Sequence, residues 1–312
     1  MLLAIDVGNT NTVFGLFSDA PAGPAGQPGE LTTHWRLETR HGRPGDEYAA
    51  LLAGFAALDP ALGGRTLKDA VHDVIIVSVV PQTRFPLEQL CTRWLGRTPL
   101  EVVVAPASGL RGAHQVDPGM PIRLDDPRTV GADRVVDALA AHTEDSARRG
   151  LIIVDMGTAT TFNVVSPAGE YLGGAIAPGV HLAADALIAH AARLPRVQIP
   201  PPPSPLGRNT IHAMQSGLFW GYVGLVDGVV SRLKASLDFA PRVLATGGLA
   251  PLVARESSTI EGADTLLTLR GLRLCYLKHV AARGDASGAS GASGASGAGG
   301  TAGAPGAIIG GK

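Results

Sequence analysis

A strand that ends in an aspartate and a polar turn opens the chain and supplies the first residues suited to chemistry. Residues 2–5 form an apolar run typical of a buried strand, and Asp6 stands where that strand ends. The turn over 7–11 contains glycine, asparagine and threonine, and residues 12–17 return as a second strand. Glycine allows close backbone approach, while amides and hydroxyls supply hydrogen-bonding groups. This hairpin could wrap an anion such as a phosphate, although most hairpins with such turns are only hairpins.

The same pattern recurs half a chain later. Residues 151–154 form another apolar run, which ends at Asp155 and is followed by a polar turn and a returning strand. Aligned by sequence, the two hairpins pair Asp6 with Asp155, Gly8 with Gly157, Asn9 with Thr158, Asn11 with Thr160 and Thr12 with Thr161. The repetition predicts two similar domains facing each other across a cleft, with both turns on one ligand.

The paired carboxylates of Asp6 and Asp155 suggest a metal-assisted phosphate site. Mg²⁺ prefers oxygen ligands and commonly takes one or two carboxylates together with phosphate oxygens. The alternative is that each aspartate only caps its own turn. Neither turn contains lysine or arginine, so phosphate charge must be met by backbone N–H groups, hydroxyls, amides and metal ions. The site is therefore predicted to depend strongly on added cations.

Asp133 is the candidate general base. A helix is predicted to open at Asp126 as N-cap with Pro127 at its first position, which places Asp133 and Arg134 in its early turns. In kinases, an aspartate accepts the proton of the attacking hydroxyl. The alternative is an ordinary acid favoured by the helix dipole, and Asp137 is the nearest competitor for the role. Arg134 could hold a carboxylate by a bidentate contact or could be an ordinary surface arginine.

A glycine pair marks a third stretch that could approach a ligand. Gly247 and Gly248 lead from a strand into a helix, where small residues let a flat base or ribose approach and a helix N-terminus favours a phosphate. Such a turn is common in loops between strands and helices, so the signal is weak alone.

The elements that must position these residues follow a regular order. The first half predicts strands over 2–5, 12–17, 31–37, 73–80 and 100–104, with helices over 46–58 and 85–95. The second half predicts strands over 151–155, 161–166, 170–177 and 242–246, with helices over 127–145, 179–192, 209–237, 249–256 and 269–282. We therefore predict an α/β fold of two ribonuclease-H-like (actin-like ATPase) domains. Each is expected to be a mixed five-stranded sheet flanked by helices, and the two to face across a cleft.

The predicted domain limits follow from this order. The first domain is placed at 1–125 and the second at 126–283, with the last helix free to pack back on the first. Residues 284–312 are rich in glycine, alanine and serine and are expected to be disordered. We assign no function to this tail or to the proline- and glycine-rich loop at 20–29.

Four glycines recur on one stripe of the long predicted helix: Gly217, Gly221, Gly224 and Gly228. Because glycine weakens a helix, the stripe suggests that another backbone packs closely there. It could belong to a subunit interface or to packing inside one chain.

Composition excludes several classes of protein. The chain has 312 residues, 45% of them hydrophobic, and a net charge of −1, which suits about two domains and favours neither nucleic acid nor an anionic membrane. Cys91 and Cys275 are predicted to be buried free thiols in a reducing compartment. The sequence shows no signal peptide, and its longest uncharged helical run, over 211–226, is too short to span a bilayer. We expect a soluble cytoplasmic protein.

Several stretches together resemble the type III pantothenate kinases, in the acetate and sugar kinase, Hsp70 and actin superfamily. They are DVGNTNTVFG (6–15), VSVVP (77–81), DDPRTVGADR (125–134), VDMGTATTF (154–162), GGAIAPG (173–179), ARLP (192–195), GRNT (207–210) with AMQSG (213–217), and ATGGLA (245–250). They occur in family order and span residues 1 to about 280. The resemblance implies phosphorylation of pantothenate by ATP at its 4′-hydroxyl, the first step of coenzyme A biosynthesis, by a homodimer.

The resemblance also implies roles for individual residues. Asp133 would be the proton acceptor, and Arg134 would contact the pantothenate carboxylate. Asp155 would help bind a monovalent cation, K⁺ or NH₄⁺, and Asp6 would hold Mg²⁺ through ATP. The expected ATP-binding residues, the glycine pair included, are Asp6, Val7, Gly8, Asn9, Thr10, Asn11, Thr12, Val13, Thr158, Gly247 and Gly248. The expected pantothenate-binding residues are Leu124, Gly131, Ala132, Asp133, Arg134 and Thr210.

One position departs from the family pattern. Members often carry an aromatic residue nine positions before the base, where this chain has Leu124. Two alternatives to a pantothenate kinase stay open. One is a non-catalytic regulatory relative, which the presence of Asp6, Asp133 and Asp155 disfavours. The other is an ATP-dependent kinase for another small acid or sugar alcohol.

Overall fold

A computed structural model describes residues 1–19, 30–104, 114–191 and 194–292. The loop at 20–29, part of the ARLP stretch and the tail from 293 lie outside the described residues. The chain divides into two units, Met1–Tyr276 and Leu277–Lys312. The described part of the second unit is the end of a helix that runs to Ala292, so the backbone over 284–292 is helical where disorder was predicted. Each residue added to an existing helix gains a hydrogen bond, which favours such continuation.

The first sheet is mixed and has six strands rather than the five predicted. They are β1 Leu2–Val7, β2 Asn11–Phe17, β3 Leu31–Glu38, β4 Asp73–Ser78, β5 Leu100–Val102 and β6 Gln115–Val116. Their order is β3-β2-β1-β4-β5-β6, with β1, β2 and β3 antiparallel and the others parallel. The extra strand β6 has two residues and is defined by its pairing with β5, which no pattern of its own reveals.

The second sheet repeats this topology with five strands. They are β7 Leu151–Met156, β8 Ala159–Val165, β9 Tyr171–Pro178, β10 Arg242–Thr246 and β11 Gly262–Ala263. The order β11-β10-β7-β8-β9 matches β5-β4-β1-β2-β3 of the first sheet. Two mixed sheets with one topology confirm the predicted α/β fold class.

Helices flank both sheets. They are α1 Gly45–Leu58, α2 Leu67–Ala70, α3 Arg84–Gln89, α4 Ala132–Glu144, α5 Val180–His190, α6 Thr210–Ala235, α7 Ala250–Val253 and α8 Leu267–Ala292. A π-helical segment, Leu90–Leu95, continues α3. The helix predicted to begin at Asp126 begins instead at Ala132. Asp126 caps only a 3₁₀ turn, Pro127–Thr129. Val130 and Gly131 are extended, so this turn does not continue into α4.

Each sheet has its own apolar layer. Phe14, Tyr48 and Leu52 belong to the cluster on the first sheet. Phe162 and Val226 belong to the cluster on the second, where α6 packs. Side chains of this size contribute about 1.5–3 kcal/mol each when fully buried, so these layers fix the strands that end at the predicted site.

The two cysteines agree with the sequence prediction, because Cys91 and Cys275 are both buried and neither forms a disulfide. No helix within the described residues is long and apolar enough to cross a membrane. The start of α8 returns to the first sheet, where Leu269 packs against Gly15 and the Tyr276 hydroxyl donates to Asp73.

Asp227 ties α6 to the segment after α7. Its carboxylate accepts hydrogen bonds from the hydroxyls of Ser257, Ser258 and Thr259 and from the backbone N–H of Ser258. Burial alone would raise the pKa of Asp227, but these donors outweigh it and lower the pKa to about 2. Asp227 therefore stabilises the fold in its ionised form.

We expect Asp227→Asn to lower the free energy of unfolding at pH 7 by about 1–2 kcal/mol, a value discounted for partial exposure. A depressed pKa in the folded state contributes stability above the unfolded pKa of about 4, and this contribution is lost as the pH falls to about 2. Urea unfolding at pH 7 and pH 3 should show the difference shrinking. Asp238→Asn, at an exposed position just after α6, is the matched control, and an equal effect there would contradict the assignment.

Candidate active site

Two similar turns lie at the ends of the first strands of the two sheets. In the first, the backbone N–H of Gly8 donates to the Asn11 carbonyl at 3.0 Å, and in the second, that of Gly157 donates to the Ala159 carbonyl at 3.1 Å. Each turn is thus closed by its glycine. The two turns differ in length, however.

The register of the strands corrects the sequence alignment of the two turns. Val7 lies opposite Thr12 in the first hairpin, whereas Met156 lies opposite Thr160 in the second. The second turn is one residue shorter, so Thr12 corresponds to Thr160 and not to Thr161. Both hydroxyls are buried: Thr12 pairs with Thr39, and Thr160 with Tyr222.

The two turns meet. The Thr10 and Thr158 hydroxyl oxygens are 2.6 Å apart, in hydrogen-bond contact at an exposed position. The predicted convergence of two strand–turn–strand units is therefore present in the structure, and a ligand lying along one turn would touch the other.

Three of the predicted carboxylates lie close enough to influence one another. Burial, aided by the Asp133 and Asp155 carboxylates, raises the pKa of Asp6 to about 8, while Arg36 acts in the opposite direction. Burial and then Asp133 raise the pKa of Asp155 to about 6, against the effect of Arg134. Clustered acids with raised pKa values are typical of functional sites and attract cations.

Asp133 lies in the first turn of α4. Its Oδ1 accepts the backbone N–H of Arg134 at 2.8 Å, and a Cβ placed on Gly131 would lie 2.4 Å from the same oxygen. Glycine at 131 therefore leaves room for the carboxylate. Burial raises the pKa of Asp133, although the Arg134 N–H and guanidinium oppose the change.

Asp137, the competing acid, is 3% exposed. Burial, followed by the Asp155 charge, raises its pKa well above the ordinary value, although Thr268 donates to it. Its Oδ1 has no hydrogen-bond partner within the described residues. Asp133 is the more exposed of the two carboxylates, so an attacking hydroxyl can reach it more easily than it can reach Asp137.

Arg134 is held by two residues that sequence reasoning did not identify. Its Nε donates to the Asn163 side-chain oxygen at 2.6 Å, which also accepts the Tyr171 hydroxyl at 2.8 Å. The guanidinium carbon lies 5.8 Å from the centre of the Tyr171 ring. Leu124 lies beside β9, the strand that contains Tyr171. A Cβ placed on Gly173 of this strand would be 3.1 Å from Cδ2 of Leu124.

The glycine pair after β10 lies against Asp155. Gly247 has a φ of 90°, and a Cβ there would be 2.7 Å from the Met156 carbonyl oxygen and 2.9 Å from Asp155 Oδ1. Conformation and space both require glycine at this position. A Cβ on Gly248 would lie 3.8 Å from Nη1 of Arg36, a cleft residue that sequence reasoning also missed.

Thr210 begins α6 and lines a groove of about 530 Å³. The other lining residues are Leu187, Leu194, Ala213, Met214, Gly217 and Leu218. The turns, Asp133, Arg134 and the glycine pair come together at the cleft between the two sheets.

No group of three or more His, Cys, Asp or Glu side chains in the described ranges could hold a metal ion alone. Asp6 and Asp155 each offer carboxylate oxygens, which suit cations that complete their coordination with phosphate oxygens and water.

Two mixed sheets of one topology, with polar turns that meet at the ends of their first strands, define the fold class. A 2-dehydro-3-deoxygalactonokinase candidate from Sinorhizobium meliloti shares this fold, with a TM-score of 0.50 and 14% identity over 88% of this chain and 96% of that one. Residues 2–232 match the family model for type III pantothenate kinase. The chain belongs to the type III pantothenate kinase family, whose members are ATP-dependent kinases.

Individual relatives agree with this assignment. A type III pantothenate kinase from an Anaeromyxobacter species is 50% identical over 279 residues, which cover 88% of this chain and 98% of that protein. The type III pantothenate kinase of Syntrophotalea carbinolica is 48% identical over 279 residues, 89% of this chain and 99% of its own. That of Myxococcus xanthus is 45% identical over 285 residues, 90% of this chain and 100% of its own.

Proposed function

We propose that this protein transfers the γ-phosphoryl group of ATP to the 4′-hydroxyl of pantothenate, the first step of coenzyme A biosynthesis. The observation that carries the proposal is the contact between the Thr10 and Thr158 turns beside the Asp6, Asp133 and Asp155 cluster, in a chain that belongs to this family. The two buried cysteines without a disulfide fit a reducing compartment, so we place the enzyme in the cytoplasm.

The two turns supply the groups for ATP. Backbone N–H groups and hydroxyls over residues 6–13, with Thr158, bind the phosphates, and the small Gly247 and Gly248 leave room for the nucleoside. Asp6 would hold Mg²⁺ through ATP, and Asp155 would help hold K⁺ or NH₄⁺. These cations would neutralise charge on the transferring phosphoryl group.

Asp133 accepts the proton of the attacking hydroxyl. Its raised pKa makes it a stronger base than an exposed carboxylate while leaving it ionised above that pKa. Arg134, oriented by Asn163 and Tyr171, pairs with the pantothenate carboxylate. Leu124, Gly131 and Ala132 line the same pocket.

A homodimer would complete this arrangement. Gly217, Gly221 and Gly224 are exposed, with no atom of the described chain within 4 Å of a Cβ placed on them, so packing within the chain does not explain them. Ile211, 48% exposed, lies near the start of the same helix. We propose that α6 packs against a second copy and that Thr210 contributes to pantothenate binding at this interface.

The proposed function is tested by a coupled assay of ADP release with ATP, Mg²⁺ and pantothenate, with a small hydroxy acid or a sugar alcohol as the alternative acceptor. Pantothenate-dependent turnover is expected. Turnover only with another acceptor would mean a kinase of different specificity, in line with Leu124. ATP binding without turnover on any acceptor would identify a non-catalytic relative.

Cation dependence gives a separate prediction. Replacing K⁺ by Na⁺ should lower turnover of the wild-type protein by about tenfold or more, because Na⁺ has the same charge but a smaller radius, and oxygen ligands spaced for K⁺ coordinate it less well. Asp155→Asn should lower turnover in K⁺ and remove the difference between the two salts. Turnover of Asp155→Asn that still responds fully to K⁺ would place the cation elsewhere.

A further inference from the structure

A row of three residues crosses the first sheet at the site. Asp6 on β1 lies opposite Val13 on β2, and Val13 lies opposite Arg36 on β3. Residues directly opposite one another in antiparallel strands project on the same face of the sheet. Arg36 and Asp6 therefore share a face, with backbones two strand spacings, about 10 Å, apart.

The Arg36 side chain extends along this face towards the second half of the chain. Its Nη1 lies 3.8 Å from where a Cβ on Gly248 would be, in the turn between β10 and α7. It is close enough to Asp6 to oppose the rise of that residue's pKa. The guanidinium thus lies between the first carboxylate and the glycine pair.

Arg36 differs from the arginines that follow it. Arg40 pairs with Glu38 at 2.8 Å, and Arg43 with Glu47 at 3.0 Å. Arg36 is exposed, and within the described ranges its guanidinium forms neither a hydrogen bond nor an ion pair. A planar guanidinium with its donors available suits bidentate binding of a phosphate.

The equivalent row in the second sheet indicates which half should hold the phosphates. There Asp155 lies opposite Thr161, and Thr161 lies opposite Ile176. Ile176 occupies the position of Arg36, and it is 66% exposed. Only the first of these two rows contains a positively charged side chain. The first half of the chain is therefore the half that can neutralise the charge of an anionic ligand.

We propose that Arg36 binds the phosphate chain of ATP and is the cation that the two turns lack. The inference rests on the proposed function in that it takes the cleft to be the ATP site. It revises the view from the sequence that phosphate charge is met without an arginine: the arginine comes from the third strand.

The test measures the affinity of each protein for a non-hydrolysable ATP analogue with Mg²⁺ by titration calorimetry, in the absence of pantothenate. Arg36→Gln should weaken this binding by about ten- to a hundredfold, the range for a hydrogen bond to a charged group. Arg36→Lys should fall between, because it keeps the charge but not the planar fork. Arg40→Gln, at an exposed position just after β3, should bind the analogue with the affinity of the wild type.

Adenosine separates a phosphate contact from a general disturbance of the site. Its affinity should be the same in the wild type and Arg36→Gln. Equal analogue affinity in these two proteins, or an equal loss for adenosine, would overturn the inference. If the wild type binds the analogue but does not phosphorylate pantothenate, the proposed function fails and the Arg36 comparison still stands. A wild type that binds no analogue would overturn both.

Discussion

Asp133→Asn is expected to lower kcat by about 10²–10⁴-fold, the usual contribution of a positioned general base. Asparagine has the same shape, and its side-chain oxygen can still accept the Arg134 N–H that Asp133 accepts at 2.8 Å. The amide cannot take a proton from the attacking hydroxyl. Folding and ATP affinity should therefore be retained while turnover is lost, which distinguishes the loss of a base from damage to the site.

Asp137→Asn is the matched control. Asp137 lies one helical turn further along α4, and burial raises its pKa well above the ordinary value. Asparagine has the same shape as aspartate, and Asp137 is buried where an attacking hydroxyl does not reach it, so this variant should keep kcat within about threefold of the wild type. Loss of turnover in Asp137→Asn, with near-normal turnover in Asp133→Asn, would move the base to Asp137.

The pH profile gives a second readout of the same assignment. The base must be ionised, and burial raises the pKa of Asp133. Activity should therefore fall on the acidic side at a higher pH than an ordinary carboxylate would give. In Asp133→Asn, the remaining activity should no longer show this fall on the acidic side of the pH profile. An unchanged acidic limb would assign it to another group, such as Asp155, whose pKa is about 6.

The part of the site that lies within single hairpins could be predicted from sequence. Asp6 and Asp155 each follow an apolar strand and precede a glycine turn, so local pattern alone marks them. Arg36 could not be found in this way, because its place in the cleft depends on two strand pairings and their registers. The predicted antiparallel order of the first three strands points to the third strand, which contains Arg36, but does not single out this residue within it.

The remaining differences have similar physical causes. The alignment of Thr12 with Thr161 failed because one residue is absent from the second turn, and only hydrogen-bonded pairing shows where. Strands β6 and β11 have two residues each and form only by pairing with the adjacent strands β5 and β10. Asn163 reaches Arg134 from a different element. Each depends on contacts between distant segments, which sequence periodicity does not contain.

Gly179→Ala is the second large effect that we expect, and it concerns the end of the GGAIAPG stretch. A Cβ at this position would lie 2.4 Å from the Gly157 carbonyl oxygen and 2.5 Å from that of Thr158. The backbone N–H of Gly179 also donates to the Thr158 carbonyl at 3.1 Å. Because both close atoms belong to the backbone, the second turn itself must move to admit a methyl group.

The expected result is a fall of about 1–3 kcal/mol in the free energy of unfolding, with a rise in KM for ATP larger than any fall in kcat. The φ of Gly179 is −70°, which alanine adopts readily, so backbone strain would not contribute. Urea unfolding and initial-rate kinetics at varied ATP measure both quantities.

Gly54→Ala is the opposite case and the control for this prediction. Gly54 lies inside α1, and a Cβ there would meet no atom of the described chain within 4 Å. Alanine should stabilise that helix by about 0.5–1 kcal/mol and leave KM for ATP unchanged. If Gly179→Ala also gains stability and keeps the wild-type KM, the second turn does not depend on close packing against the start of α5. The contact between Thr10 and Thr158 would then have to be maintained by the two hairpins alone.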